Sequence, residues 1–152
     1  MTSPELEMKP PAEADLIRVA RMARGISPET AAELTPIRLG GARWRHIERG
    51  YEPKRPPKRV RAPDKTLAHM ARAVGVTPER LEEADRSVAA DILREILRQE
   101  AESEAAQDKP YADMSDRLER TAWEMPIGVE ERKLIVDMLR EAKTQGRQER
   151  SA

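Results

Sequence analysis

The sequence predicts an all-α chain, and three observations carry that prediction. Apolar residues recur at three- and four-residue spacing in one segment after another. No apolar–polar alternation runs long enough to make a strand. Between the periodic segments stand Gly, Pro and capping residues of the kind that start and stop helices. The expected architecture is a head of five short helices, then a longer helix and a C-terminal helical pair. Composition agrees: hydrophobic residues make up 38%, charged residues 37%, and Phe is absent. That inventory is too lean for a barrel or a doubly wound sheet but suits short amphipathic helices sharing thin cores. The expected organisation is a flexible arm over 1–12, the five-helix head over 13–84 and a helical region over 85–152.

The elements follow in order. Residues 1–12 include Pro4, Pro10 and Pro11 and read as an arm. Over 13–24, Leu16, Ile17, Val19, Ala20 and Ala23 recur at helical spacing until Gly25 stops the run. Ser27-Pro28-Glu29 opens a second helix: serine accepts free backbone N–H groups, proline suits the first position and glutamate favours the positive dipole end. Pro36 limits that helix to about residue 34. After a Leu39-Gly40-Gly41 turn, a third helix over about 41–49 places Trp44 and Ile47 on one face, and Gly50 ends it. Residues 51–63 hold Pro53, Pro56, Pro57 and Pro63 among five bases, so they form an exposed basic loop rather than helix or central strand. Asp64 caps a fourth helix with Leu67, Met70, Ala71 and Val74 inward; Thr77-Pro78-Glu79 starts a fifth. Ser87 caps a sixth, with Val88, Ile92, Leu93, Ile96 and Leu97 inward, fading through 99–109 to a break at Pro110. Two further amphipathic helices carry Met114, Leu118, Ala122 and Met125, then Leu134, Ile135, Met138, Leu139 and Ala142, joined at Ile127-Gly128-Val129. Met22, Met70, Met125 and Met138 fall on these stripes as core filler.

Several function classes are excluded or disfavoured. With no Cys there are no disulfides, thiolate metal sites or cysteine nucleophiles. His46 and His69 lie in different helices without a third ligand, so no metal site is expected. No phosphate-binding glycine loop, dinucleotide fingerprint or nucleophile elbow is present, and the acidic runs read as solvated helix faces. The expectation is a non-enzyme without cofactor or small-molecule ligand. No segment approaches the ~20 apolar residues of a membrane span, and the first eleven residues lack a signal-peptide core, so a cytoplasmic protein without membrane contact is expected.

Charge is unevenly spread although 28 bases balance 28 acids. Over 38–65, Arg38, Arg43, Arg45, Arg49, Lys54, Arg55, Lys58, Arg59, Arg61 and Lys65 face only Glu48, Glu52 and Asp64, a local net of +7. Residues 85–152 carry −4. The asymmetry suggests a segment that meets a polyanion joined to one that does not. With Trp44 and Ile47 inward, the third helix turns Arg43, Arg45, His46 and Arg49 elsewhere, and an α-helix fits the major groove, where arginine engages guanine bidentately. The bland alternative is a surface helix of a chain in which Arg outnumbers Lys 21 to 7.

These residues carry a resemblance. Ile26-Ser27-Pro28-Glu29, then Arg43-Trp44-Arg45-His46-Ile47-Glu48-Arg49-Gly50, then residues 67–76 with Pro78 and Leu81, make the segment 16–83 resemble the Cro/phage-repressor-type (XRE-like) helix-turn-helix domain of five helices. The resemblance implies a sequence-specific double-stranded DNA-binding transcriptional regulator, acting as a homodimer. It implies that Trp44 and Ile47 are core residues and that Glu48 pairs with Arg21. Base contacts would come from Gly41, Ala42, Arg43 and His46, with Arg45 joining if the helix is rotated. Phosphate contacts would come from Ser27, Arg49 and the loop bases Lys54, Arg55, Lys58, Arg59 and Arg61; read on its own, the loop lies on the phosphate backbone or enters a minor groove, or else is a disordered spacer kept soluble by its charge. The chain departs from the family in a longer turn before the third helix, in Pro28 where many members carry a DNA-contacting glutamine, and in a longer, more basic loop. A second function also fits this scaffold: a protein-interaction adaptor, antitoxin-like or an anti-host factor, that no longer binds DNA. The stripes at 88–97 and 134–142, with Trp123 as an anchor, are candidates for a dimer surface, or else fold back on the chain's own core.

Overall fold

The computed structural model describes residues 8–112 and 114–151. Most of the expected arm, residues 1–7, lies outside them. Among the described residues eight helices and one small sheet follow in the order α1 (Ala12–Ala23), α2 (Pro28–Glu33), α3 (Gly41–Arg49), β1 (Tyr51–Glu52), β2 (Lys58–Arg59), α4 (Asp64–Val74), α5 (Pro78–Glu83), α6 (Ser87–Ala112), α7 (Arg117–Trp123) and α8 (Val129–Arg150). The chain is mostly helical, as the periodicity predicts. Two compact units divide at Glu100 and Ala101, inside α6, rather than at the expected 84/85 boundary. The physical reason is that Ala89, Ala90 and Leu93, early in α6, are buried in the core of the first unit.

Every helix from α1 to α6 contributes to that core, most of all α4 with Leu67, Ala68, Met70, Ala71, Ala73 and Val74. Ile17 of α1, Trp44 of α3, Leu67 and Met70 of α4, Leu81 of α5 and Leu93 of α6 are its largest fully buried side chains. Ser27 and Thr77 begin α2 and α5 as predicted, each accepting a backbone N–H three residues on, from Thr30 at 3.1 Å and Arg80 at 3.4 Å. Gly50 ends α3 in the left-handed region, at φ +80°. Its space is tight as well: a Cβ there would stand 3.0 Å from Pro10 Cα and Pro11 Cδ, so the residues before α1 pack against the end of α3.

Several local expectations are corrected. Asp64 is the first residue of α4, but its side chain makes no cap hydrogen bond. It instead accepts two hydrogen bonds from Arg86. The basic loop contains an antiparallel ladder, Tyr51 opposite Arg59 and Glu52 opposite Lys58. A ladder only two residues long escapes an alternation search, and the prolines are confined to its tip and flanks, where missing N–H groups cost nothing. Pro110 does not break α6, which continues to Ala112. Val19, Met22, Val88, Leu97, Met125 and Met138 are exposed rather than inward. On α1 the buried row is Glu13, Ala14 and Ile17, so the neighbouring row through Val19 and Met22 faces solvent.

The second unit has a different kind of core. Tyr111 stacks on Trp123 with ring centres 5.4 Å apart, and Lys133 and Arg140 each sit 5.6 Å from the Tyr111 ring. The Tyr111 hydroxyl donates to Asp137 at 2.9 Å, and Arg140 donates to Glu119 at 3.1 Å. Val136 is fully buried, whereas Leu118, Leu134 and Met138 are exposed. Trp123, expected as an anchor for a partner, thus has one ring face taken by Tyr111.

Candidate nucleic-acid interface

The rotation of α3 is fixed by a hydrogen-bonded carboxylate. Glu48 is buried and accepts Arg21 Nε at 2.7 Å and Arg21 Nη2 at 2.9 Å. Its Oε1 also accepts the Trp44 indole N–H at 2.6 Å. Arg21 completes the arrangement by donating to the Ile26 carbonyl at 2.9 Å, and the hydrogen bond to Glu48 holds its guanidinium above the usual arginine pKa. A fork-on-fork pair adds geometric definition to charge attraction. The indole N–H that burial of Trp44 would otherwise strand is satisfied. With Trp44, Ile47 and Glu48 turned inward at i, i+3 and i+4, Ala42, Arg43 and Arg49 are left exposed, and Arg45 and His46 lie at the shoulders.

The bases expected at the interface fall into two groups. Arg45 is paired with Glu29 of α2. The same Glu29 side chain covers the start of α3, since a Cβ on Gly41 would come within 2.8 Å of Glu29 Cγ. Gly41 is therefore half-buried and screened rather than open to a base edge. The cause is electrostatic: a carboxylate is favoured at the positive end of α3 and beside Arg45. Arg61 donates its Nε to Glu13 at 2.7 Å, so it is tied to the protein rather than released to a phosphate. Lys54 pairs with Glu52 at 3.1 Å. That hydrogen bond, acting against a smaller effect of burial and helped by His46 and Lys58, holds the Glu52 carboxyl below its usual range. The Ser27 hydroxyl is engaged as the α2 cap. By contrast Arg38, Arg43, Arg49, Arg55, Lys58, Arg59 and Lys65 are all exposed and make no ion pair among the described residues.

The β1–β2 hairpin is rooted firmly. The Val60 N–H donates to the Gly50 carbonyl at 2.9 Å, and Val60 and Ala62 are buried in the core. Below them lies a charge network that sequence reasoning missed. Glu13, buried on α1, accepts Arg86 Nη1 at 2.6 Å as well as Arg61. Arg86, itself buried, also donates to the Ala62 carbonyl at 2.6 Å and to Asp64 at 2.9 Å. Burial pushes the Glu13 carboxyl up, but the hydrogen bonds from Arg61, its own backbone and Arg86 outweigh it and hold the group below the usual carboxylate range. The available signal was an acid at the helical position four before Ile17, on the face that the apolar residues bury. Arg18 was also missed; with Arg21, Pro28, Arg45, Glu48 and Arg49 it lines a shallow cleft among α1, α2 and α3.

No group of three His, Cys, Asp or Glu residues that could hold a metal occurs among the described residues. No helix among them is long and apolar enough to cross a membrane. No family model, curated protein or solved structure matches the chain.

Proposed function

We propose that the first unit is the DNA-binding head of a sequence-specific transcriptional regulator, its α1–α5 arranged like a Cro/phage-repressor-type helix-turn-helix domain and α3 lying in the major groove. The observation that supports this best is the sorting of charge. The acids within 38–65 are each engaged by a base of the chain, and seven bases of that segment stand exposed and unpaired. Arg43, on the outward face of α3, is assigned to a guanine edge, with Ala42 and His46 beside it. Arg49, Lys58 and Arg59 are assigned to phosphates, which position without specifying. Arg45 joins only when Glu29 releases it, and an exposed pair of that kind is worth about 0–1 kcal/mol. Exposed Leu118, Leu134 and Met138 of the second unit are assigned to pairing two copies. One observation favours the adaptor reading instead: Glu29 places negative charge over Gly41, where a base edge would come.

Selection from randomised duplexes with the full chain tests the proposal. A palindromic sequence should be enriched, giving site and two-fold symmetry together. Arg43→Ala should then weaken that site about 5- to 150-fold, the equivalent of ~1–3 kcal/mol, while leaving non-specific binding nearly unchanged. No enrichment, or an unchanged affinity in Arg43→Ala, would overturn the assignment in favour of the adaptor.

A further inference from the structure

The hairpin offers a contact that phosphate binding does not explain. Its tip, residues 53–57, reads Pro53-Lys54-Arg55-Pro56-Pro57. Lys54 pairs with Glu52, which leaves Arg55 as the unpaired cation of the tip, and it is exposed. The prolines on both sides fix φ and carry no donor, which gives Arg55 a stiff, narrow mount. The mount is anchored from below by buried Val60 and Ala62 and by the Glu13–Arg61–Arg86 network.

Its reach has the right scale. From Gly50, the last residue of the α3 cap, five residues to Arg55 span at most about 17 Å. Half of a ~34 Å helical turn, which separates a major groove from the next minor groove, is also about 17 Å. The turn in which the Lys54 N–H donates to the Glu52 carbonyl shortens that span, and the Arg55 side chain extends it again; with α3 in the major groove, exposed Lys58 and Arg59 would meet the intervening phosphates and the tip would face the minor groove. That groove is only about 6 Å wide, too narrow for a helix but open to a single guanidinium. It is narrowest and most negative in A·T-rich tracts, where arginine, less strongly hydrated than lysine, is favoured.

Granting the DNA-binding reading on which this rests, we infer that Arg55 enters the minor groove beside the segment read by α3 and confers a preference for A·T-rich flanks. The test uses the full chain and the selected duplex with flanks of A·T, G·C or inosine·cytosine pairs, the last having the minor-groove groups of A·T and the major-groove groups of G·C. The wild type should bind A·T and inosine flanks alike and about tenfold more tightly than G·C flanks. Arg55→Lys, which keeps the charge at an exposed position, should bind all three within about twofold while its salt dependence stays as in the wild type. Equal binding of the three flanks by the wild type, or a preference retained in Arg55→Lys, would overturn the inference and leave the regulator standing. Absence of any enriched duplex would overturn both.

Discussion

Replacing Arg86 by Ala removes the donor on which the hairpin root and the start of α6 converge. Four hydrogen bonds are lost: one to Glu13, one to the Ala62 carbonyl and two to Asp64. The side chains of Arg86 and Glu13 are only 8% and 3% exposed, so the carboxylate left behind is not rehydrated. Breaking one side of a buried pair costs about 3–5 kcal/mol. Here Glu13 keeps Arg61 and Asp64 is 39% exposed, which places the loss near the lower limit, about 3 kcal/mol. Against a domain stability of about 5–15 kcal/mol, that is a large fraction. With a urea slope near 1.5 kcal/mol per molar, the midpoint should fall by about 2 M. Trp44 and Trp123 lie in different units, so a Trp123→Phe background lets fluorescence follow the first unit alone. Glu13→Gln combined with Arg86→Met should recover part of the loss, because uncharged partners carry no desolvation penalty. A fall of less than 0.5 M in Arg86→Ala would refute the claim that this network holds the hairpin.

The same network predicts an acid limb. Because the folded-state pKa of Glu13 is lowered, its contribution is complete above the ordinary glutamate value, near 4.3, and is lost as pH falls from there through the folded value. The difference in urea midpoint between wild type and Glu13→Gln should hold steady between pH 7 and pH 5 and shrink below; a difference that does not shrink would remove Glu13 from the account. Gly50→Ala should cost more than Gly25→Ala. Both have positive φ, a strain of about 1–2 kcal/mol for an alanine, but only at Gly50 does the new methyl press on Pro10 and Pro11. Equal thermal shifts for the two variants would show that the packing of residues 10–11 on α3 is immaterial.

Helix positions were largely legible because the signals are local. Ser27-Pro28 and Thr77-Pro78 at helix starts, and Gly25 and Gly50 at helix ends, act through their own backbone and act as expected. The inward face of α3 was legible for a related reason: Trp44 and Ile47 are its bulkiest apolar residues and only one rotation buries both. What was not legible depends on partners distant in sequence. Whether Val19 or Ile17 faced the core of α1 depended on where α3 and α4 lay. The engagement of Arg61 by Glu13, 48 residues away, and of Arg86 by the same acid, 73 residues away, leaves no trace in local spacing. Glu29 read correctly as a helix-start acid, yet its further role over Gly41 and Arg45 arises only once α2 and α3 are packed. On α8 the stripe spacing selected Leu134 and Met138, whereas the fully buried residue is Val136, because a face with two apolar rows does not disclose which one meets α7.

The charge pattern links stability to binding in one arrangement. Two like charges ~10 Å apart repel by about 0.4 kcal/mol in water before salt screens them. Seven unpaired bases within 38–65 therefore impose a standing repulsion on the fold. Glu52 already pairs with Lys54, and the other acids that could relieve it are tied to buried partners: Glu48 holds the rotation of α3, Asp64 holds Arg86, and Glu13 holds the hairpin root. Releasing any of them to neutralise the surface would strand a buried guanidinium or a buried carboxylate, at several times the repulsion gained back. On the DNA-binding reading, the duplex would discharge the surface without disturbing the interior. Rigid presentation of α3 and the hairpin, and the unmet charge on them, are thus consequences of the same buried pairs.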